Sequence, residues 1–227
     1  MTQPLASIHP DAKIGENVFI SPFCTIEGDV EIGTGTWLGP NVTIMDGARI
    51  GKNVKIYPGA VISAPPQDLK YKGEKTVTII GDGTTIRECA TVNRGTNDRY
   101  KTEVGKNCLL MAYSHVAHDC LVGNHVILAN LATLAGHITV HDWAILEGMV
   151  AVQQFITIAE HAFIGGGSLV RKDVPPYVKC AKEPLSFAGV NVIGLRRRGF
   201  TEAAIRQIED IYRIIYVRGY NMSKALE

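Results

Sequence analysis

From Ile8 onward the chain sets an aliphatic residue at every sixth position. Ile14, Ile20, Ile26, Ile32, Leu38, Ile44, Ile50, Ile56 and Ile62 follow without a break. The register resumes at Ile80, Ile86 and Val92, and again from Val104 to Val170. Between residues 8 and 170 there are 28 such positions, and 25 hold Ile, Leu or Val. Those three types make up 58 of the 227 residues, so chance would fill about seven. Four residues after each aliphatic stands a small or β-branched side chain, as at Ala12, Val18, Cys24, Val30, Thr36 and Val42. A period of six matches neither an α-helix nor a heptad. It predicts a solenoid of short parallel strands, with the aliphatic and the small residue turned inward and Gly, Asn and Asp in the turns.

The pattern resembles the hexapeptide repeat of left-handed β-helices, in which three hexads close one triangular coil of about 18 residues. The left hand is implied by that resemblance alone, since ordinary crossover connections are right-handed. The fold class is therefore mainly β: a left-handed parallel β-helix over 1–176, then a linker and C-terminal helical region over 177–227. Two polar runs, 65–79 and 97–103, interrupt the repeat yet keep its phase. They read as loops thrown out of the coil, where insertions in solenoids commonly serve binding. After Pro176 a linker to about residue 190 leads into NVIGLRRRGF. A helix follows, with Thr201 as N-cap, Ile205, Ile208, Tyr212 and Ile215 on one face and Gly219 as its stop. Ser223 reads as the cap of a second helix.

Composition narrows the function. Lys and Arg number 23 against 22 Asp and Glu, a net charge of +1, which argues against nucleic-acid binding by bulk electrostatics. No run of about 18 apolar residues predicts a transmembrane segment. The N-terminus lacks a basic stretch followed by an apolar one, so no signal peptide is read and a cytoplasmic location is expected. The five cysteines form no CxxC pair, which indicates neither a disulfide framework nor a zinc finger. Cys24, Cys108 and Cys120 fall on the small inward position, as inert core residues, whereas Cys89 and Cys180 fall outside it.

The scaffold leaves chemistry to outward groups and loops. Histidines concentrate between 115 and 161, with His115, His118, His137, His141 and His161 among them. A step of 18 from His118 reaches Gly136 and then Gln154, so the three should stack on successive coils, one strand spacing apart. A base, a backbone N–H free of side-chain crowding and an amide suit acyl transfer, which needs a general base and an oxyanion donor. The bland reading is a row of solvated surface histidines. A zinc site is a further alternative, because γ-class carbonic anhydrases place zinc among histidines on this fold, but no acidic or cysteine partner is evident from spacing.

Seven segments occur in order: PQDLKYKGE (66–74), NRGT (93–96), HVAHDC (115–120), LAGH (134–137), VQQF (152–155), DVPPY (173–177) and GLRRRGF (194–200). Together they resemble the acyl-carrier-protein–UDP-N-acetylglucosamine O-acyltransferase family of lipid A biosynthesis. The resemblance implies that His118 is the general base for the sugar 3-hydroxyl and that the Gly136 N–H is the oxyanion donor. It implies that His115, His137 and Gln154 line the sugar and diphosphate site, and that Gln67, Asp68 and Lys70 hold the sugar nucleotide. Asn191, Arg197 and Arg198 match positions that reach the nucleotide end, where an Arg fork suits phosphate oxygens. Gly166 falls where the family sets acyl-chain length, with a simple turn glycine as the alternative. A homotrimer with sites between subunits is implied, with acyl carrier protein and UDP-N-acetylglucosamine as partners. No metal or separate cofactor is implied, since the acyl donor rides on the phosphopantetheine of the carrier protein.

Some features depart from the family or fit another reading. Gln153 stands where members commonly have His, and it cannot carry a proton. Ile193 stands where many have Glu. The family's helical region usually continues past residue 227. Asp119 adjoins His118, but alternation along a strand would turn the two side chains to opposite sides. Four alternatives stay open: a 3-amino acceptor, another hexapeptide N-acyl- or acetyltransferase, a zinc carbonic anhydrase and a non-catalytic scaffold.

Overall fold

A computed structural model describes residues 5–216 and 218. Each hexad contributes a strand of about two residues, such as Thr25–Ile26 or Thr43–Ile44, whose second residue is buried. The strands stack into three sheets of nine, eight and ten strands, here sheets A, B and C, the faces of a prism, all parallel but for the last strand of sheet C. Successive coils pair at the expected step: Thr25 lies beside Thr43, and Lys13 beside Glu31. Ile26, Ile44, Ile62, Val92, Val116 and Leu134 form one buried aliphatic column, wholly or almost wholly excluded from solvent.

The small inward position carries a second role. Cys24, Cys108 and Cys120 direct their thiols at the carbonyls of Gly39, Gly123 and Ala135, each at 3.1 Å. Thr36 and Thr84 make the same bridge with hydroxyls, to Gly51 and Gly105 at 3.0 and 2.7 Å. Burial pushes the Cys108 thiol up to about 11 and that of Cys120 to about 12, so both stay protonated and unreactive. Cys180 is inward too: it pairs beside Ile164, 16 residues back rather than 18, so it takes the large aliphatic place of a register shifted by two residues.

Every coil turns at corners where one residue adopts a positive φ. Gly and Asn fill some of these corners, but so do Phe23, His125, Leu131, Trp143, Met149 and Phe155. This departs from turns made by Gly, Asn and Asp alone. The left-handed conformation costs a non-glycine residue roughly 1 kcal/mol. Stacking between coils offsets it: His125 lies 4.0 Å from Trp143, and His137 4.6 Å from Phe155.

Both insertions leave the same prism edge, between sheets A and B, and both are shorter than the polar runs. Val77–Ile80 and Lys101–Val104 are strands paired with each other, so 77–79 and 101–103 belong to the coil. Alternating Val77, Thr78, Ile79 and Ile80 against Lys101, Thr102, Glu103 and Val104 buries Thr78, Ile80, Thr102 and Val104, which the polar appearance of the runs conceals. The segment to residue 190 is likewise no linker. Val178–Ala181 adds to sheet C beside Phe163–Ile164, and Ser186–Val190 folds back antiparallel on it. The C-terminal part holds helix α1, Val192–Arg197, and helix α2, Glu202–Tyr216. The Thr201 hydroxyl accepts from Ala204 N–H at 3.2 Å, and Ile205 and Tyr212 are buried. Gly219 and Ser223 lie outside the described residues. Among the described residues no helix is long and apolar enough to cross a membrane.

Filling a small inward site should strain the prism. Ala132→Leu is expected to lower stability by about 1–3 kcal/mol, while Thr133→Leu on the outer face changes it by less than about 0.5 kcal/mol, as read by thermal unfolding.

Candidate active site

The A–B edge gathers the chemistry. His118 sits at the corner between strand His115–Val116 of sheet A and strand Leu121–Val122 of sheet B, only 5% exposed. Its Nδ1 lies 2.8 Å from Asp119 Oδ2. This corrects the expectation that neighbouring side chains diverge. Alternation is a property of extended strand, and Asp119 is a corner residue with φ +59° that curls its carboxylate back onto the imidazole.

Asp119 is fully buried and well supplied with donors. Thr96 gives it its N–H at 3.0 Å and its hydroxyl at 2.6 Å, and Arg99 N–H donates at 3.1 Å. Burial is the largest single influence on its carboxyl and pushes it up. The hydrogen bonds from Thr96, His118 and Arg99 together outweigh that push and hold it below the usual carboxylate range. An ionised Asp119 fixes the proton of neutral His118 on Nδ1 and leaves the lone pair on Nε2. The second loop thus acts on His118 through Asp119. Sequence reading did not single out Thr96 or Arg99, because nothing local marks a loop backbone that caps a carboxylate one coil away.

Gly136 stacks where the register places it. A Cβ there would lie 2.6 Å from His118 Cε1 and 2.7 Å from Nε2, so only glycine leaves room for the ring. Its N–H donates no hydrogen bond among the described residues. His137 meets His118 edge-on at 5.1 Å. Its Nδ1 is 3.0 Å from Asp98 Oδ2, out of line for a hydrogen bond. His115 pairs with the Thr91 hydroxyl at 2.7 Å, and burial, then the neighbouring His118, lowers its pKa. Gln154 lies exposed on the next coil.

A cleft of about 250 Å³ opens beside these groups, between Asp68, Lys70 and Tyr71 of the first loop, Asp98 of the second, and His137 and Phe155. Gln67 is exposed outside it. His118, Asp119 and His137 bring donor atoms within 4.8 Å of one another, the spacing of a metal site. The donor set fits hydrogen bonding better: Asp119 is already filled by N–H and O–H donors, and His118 Nδ1 faces it.

The remaining candidates lie on other edges. Gly166 turns between sheets C and A, and its N–H donates to Glu147 Oε2 at 3.1 Å. The positive φ of that turn belongs to Gly167, at +70°, and at 166 the constraint is space, since a Cβ there would lie 3.1 Å from the Gly148 carbonyl oxygen. Asn191, Arg197 and Arg198 lie beside the B–C edge. Asn191 is buried, accepts from Gly194 N–H and donates to the His161 carbonyl at 3.0 Å, so its side chain caps α1. The basic run divides: Arg196 pairs with Glu202, Arg197 is exposed, and Arg198 packs on Trp143 and His161. Ile193 is 63% exposed on the same helix.

Comparison with known proteins adds an independent line. A family model described as Udp N-acetylglucosamine O-acyltransferase, Domain 2, matches residues 173–227. One described as bacterial transferase hexapeptide (six repeats) matches 29–64 and 101–136. The acyl-[acyl-carrier-protein]–UDP-N-acetylglucosamine O-acyltransferase of Halorhodospira halophila is 48% identical over 99% of this chain and 87% of its own length. That of Pseudomonas syringae is 44% identical over 100% of this chain and 88% of its own. A UDP-N-acetylglucosamine acyltransferase from Bacteroides fragilis superposes with a TM-score of 0.98 at 49% identity, covering 100% of this chain and 89% of that one. One from Francisella novicida gives 0.97 at 42% identity, over 99% and 83%. The prism is thus the left-handed parallel β-helix, and the chain belongs to the acyl-[acyl-carrier-protein]–UDP-N-acetylglucosamine O-acyltransferase family.

Proposed function

We propose that the protein transfers a 3-hydroxyacyl chain from acyl carrier protein to the 3-hydroxyl of UDP-N-acetylglucosamine, the first step of lipid A biosynthesis, with His118 as general base. The observation that carries the catalytic assignment is the notch where His118 Nε2 faces Gly136, with Asp119 fixing the other ring nitrogen. In this reading Nε2 takes the proton of the sugar hydroxyl as its oxygen attacks the thioester carbonyl carbon. The Gly136 N–H receives the oxyanion that forms. Collapse breaks the C–S bond, and the imidazolium returns its proton to the departing thiolate. The products are the 3-O-acyl sugar nucleotide and the free thiol of the carrier. Asp119 stabilises the transient imidazolium without taking its proton.

The first loop, with Asp68 and Lys70, and the side chains of His115, His137 and Gln154 would hold the sugar and diphosphate. Arg197 and Arg198 would take the nucleotide end. They lie beside the B–C edge, whereas His118 lies on the A–B edge, so the two sets stand on different edges of one chain. That division supports a homotrimer in which the B–C edge of one subunit faces the A–B edge of the next. Gly166, on the C–A edge, would set acyl-chain length by leaving its groove unfilled. The reaction as drawn needs no metal or separate cofactor, and a cytoplasmic enzyme would meet both substrates.

Purified protein given 3-hydroxyacyl carrier protein and UDP-N-acetylglucosamine should form the 3-O-acyl product, read by mass spectrometry. His118→Ala should lower kcat by about 10²–10⁴-fold. An inactive wild type, or an equally active variant, would sink the assignment. Running the 3-amino sugar analogue alongside decides the acceptor, which Gln153 and Ile193 bear upon. Gly136→Ala keeps the N–H, but its methyl group would displace the His118 ring and should cost about 10²-fold. Added EDTA should leave the rate unchanged. Because the Asp119 carboxyl is held below its unfolded value of about 3.9, its contribution to stability is present above that pH and fades as pH falls through the folded value. The Tm difference between wild type and Asp119→Asn should therefore be largest near pH 7 and shrink below pH 4.

A further inference from the structure

Helix α1 is fastened to the coil at both ends by a single residue. At its start, Asn191 Nδ2 donates to the His161 carbonyl at 3.0 Å. At its end, Arg198 Nη1 lies 3.1 Å from His161 Nδ1, and because a guanidinium only donates, the ring nitrogen accepts. The Arg198 guanidinium carbon also lies 5.2 Å from the centre of the Trp143 ring. Trp143 is backed by His125 at 4.0 Å, with ring planes 7° apart. His161 is held in turn by Tyr177 at 5.6 Å and Phe200 at 5.1 Å. The aromatic rings of four successive coils thus form a wall along the B–C edge, with Arg198 laid on it.

Arg198 is half-buried and, among the described residues, has no carboxylate partner. Its neighbour Arg196 does have one, Glu202. A partly desolvated cation held by a ring face and a neutral nitrogen keeps its charge available for an anion from outside the chain. Protonated His161 would present a donor to a donor. Burial, and then the Arg198 charge, lower the His161 pKa and keep the imidazole neutral.

We propose that His161 and Trp143 are positioning residues for nucleotide binding: His161 Nδ1 and the Trp143 ring fix the Arg198 guanidinium in the pose in which it receives a phosphate at the nucleotide end. This rests on the reading of Arg198 as a nucleotide-binding group. Neither residue need touch the substrate, and neither is near His118.

Steady-state kinetics of the full chain test it. His161→Phe keeps an aromatic ring at the corner but removes the acceptor, and Phe155 shows that the corner tolerates Phe at φ +65°. It should raise KM for UDP-N-acetylglucosamine about tenfold, as expected for losing one hydrogen bond to a charged group, and change kcat less than about twofold. His161→Asn, whose Oδ1 sits near the place of Nδ1 and whose backbone accepts a positive φ, should restore KM to within about twofold of wild type. Trp143→Leu should raise the same KM about threefold, the weight of one exposed cation–π contact. It supplies the reading on its own should His161→Phe not fold, since Leu131 occupies an equivalent corner. Arg198→Ala separates the two levels. If it raises KM while Trp143→Leu and His161→Phe do not, the positioning role is wrong and the reading of Arg198 stands. If Arg198→Ala leaves KM unmoved, that reading fails and takes the positioning role with it. Equal KM effects of His161→Phe and His161→Asn, tracking a loss of Tm, would mark a merely structural contact and overturn the proposal.

Discussion

A prism whose interior admits one aliphatic and one small side chain per hexad fixes the geometry of everything outside it. Ile26, Ile44 and Ile62 occupy one column because each coil must present the same shape to the next. Parallel pairing then converts a sequence separation of one coil into a spatial separation of about 4.8 Å. Insertions must restore this register, and they do: Ile62 pairs with Val92, and Val92 with Val116, across loops that add whole hexads. The same register puts His118, Gly136 and Gln154 on one edge and His125, Trp143 and His161 on another. Neither row is made by a local motif. Each is made by the core.

The corners carry a tension that the core creates. A short strand followed by a tight turn requires a residue at positive φ, and only Gly takes that conformation freely. At the corners of the proposed sites the structure accepts strain at Asp119, His137, Trp143 and His161. Stacking and hydrogen bonding hold those residues in place. Asp119 is the extreme case, with φ +59° and a carboxylate bound by Thr96, Arg99 and His118. Strain here coincides with chemistry: the conformation that strand geometry disfavours is the one that lets adjacent residues face each other.

This explains which features could be read from sequence. The inward columns, the inert cysteines at 24, 108 and 120 and the stacking of Gly136 on His118 all follow from period and phase. The Asp119–His118 contact does not, because a rule for extended strand was applied to a corner. The hairpin of Val178–Ala181 and Ser186–Val190 was hidden by the loss of the hexad after Val170. The ends of both insertions were misplaced because Lys101 and Glu103 are polar on the outer face of a strand whose inner face is Thr102 and Val104. Asn191 illustrates a different limit. The resemblance matches it to the nucleotide end, while its place at the start of α1 gives its amide to the helix cap and to the His161 carbonyl, a role that only the fold shows.

The shape of the prism is what makes the proposed function call for a second chain. Its edges are straight rows set by a rigid core, and they cannot bend toward each other. The A–B edge carries the proposed base and oxyanion donor and two loops, and the B–C edge carries a guanidinium with no carboxylate partner among the described residues. In the proposed function the sugar nucleotide meets both kinds of group at once, while an edge offers only what repeats along it. A second edge brought alongside from another subunit would supply this without deforming either row. It also sets a requirement on the incoming side: a cation that must meet a phosphate across an interface cannot rely on that interface for its own placement. The wall of Trp143 and His161 beneath Arg198 meets that requirement within one chain, through the same coil register that places His118 over Gly136.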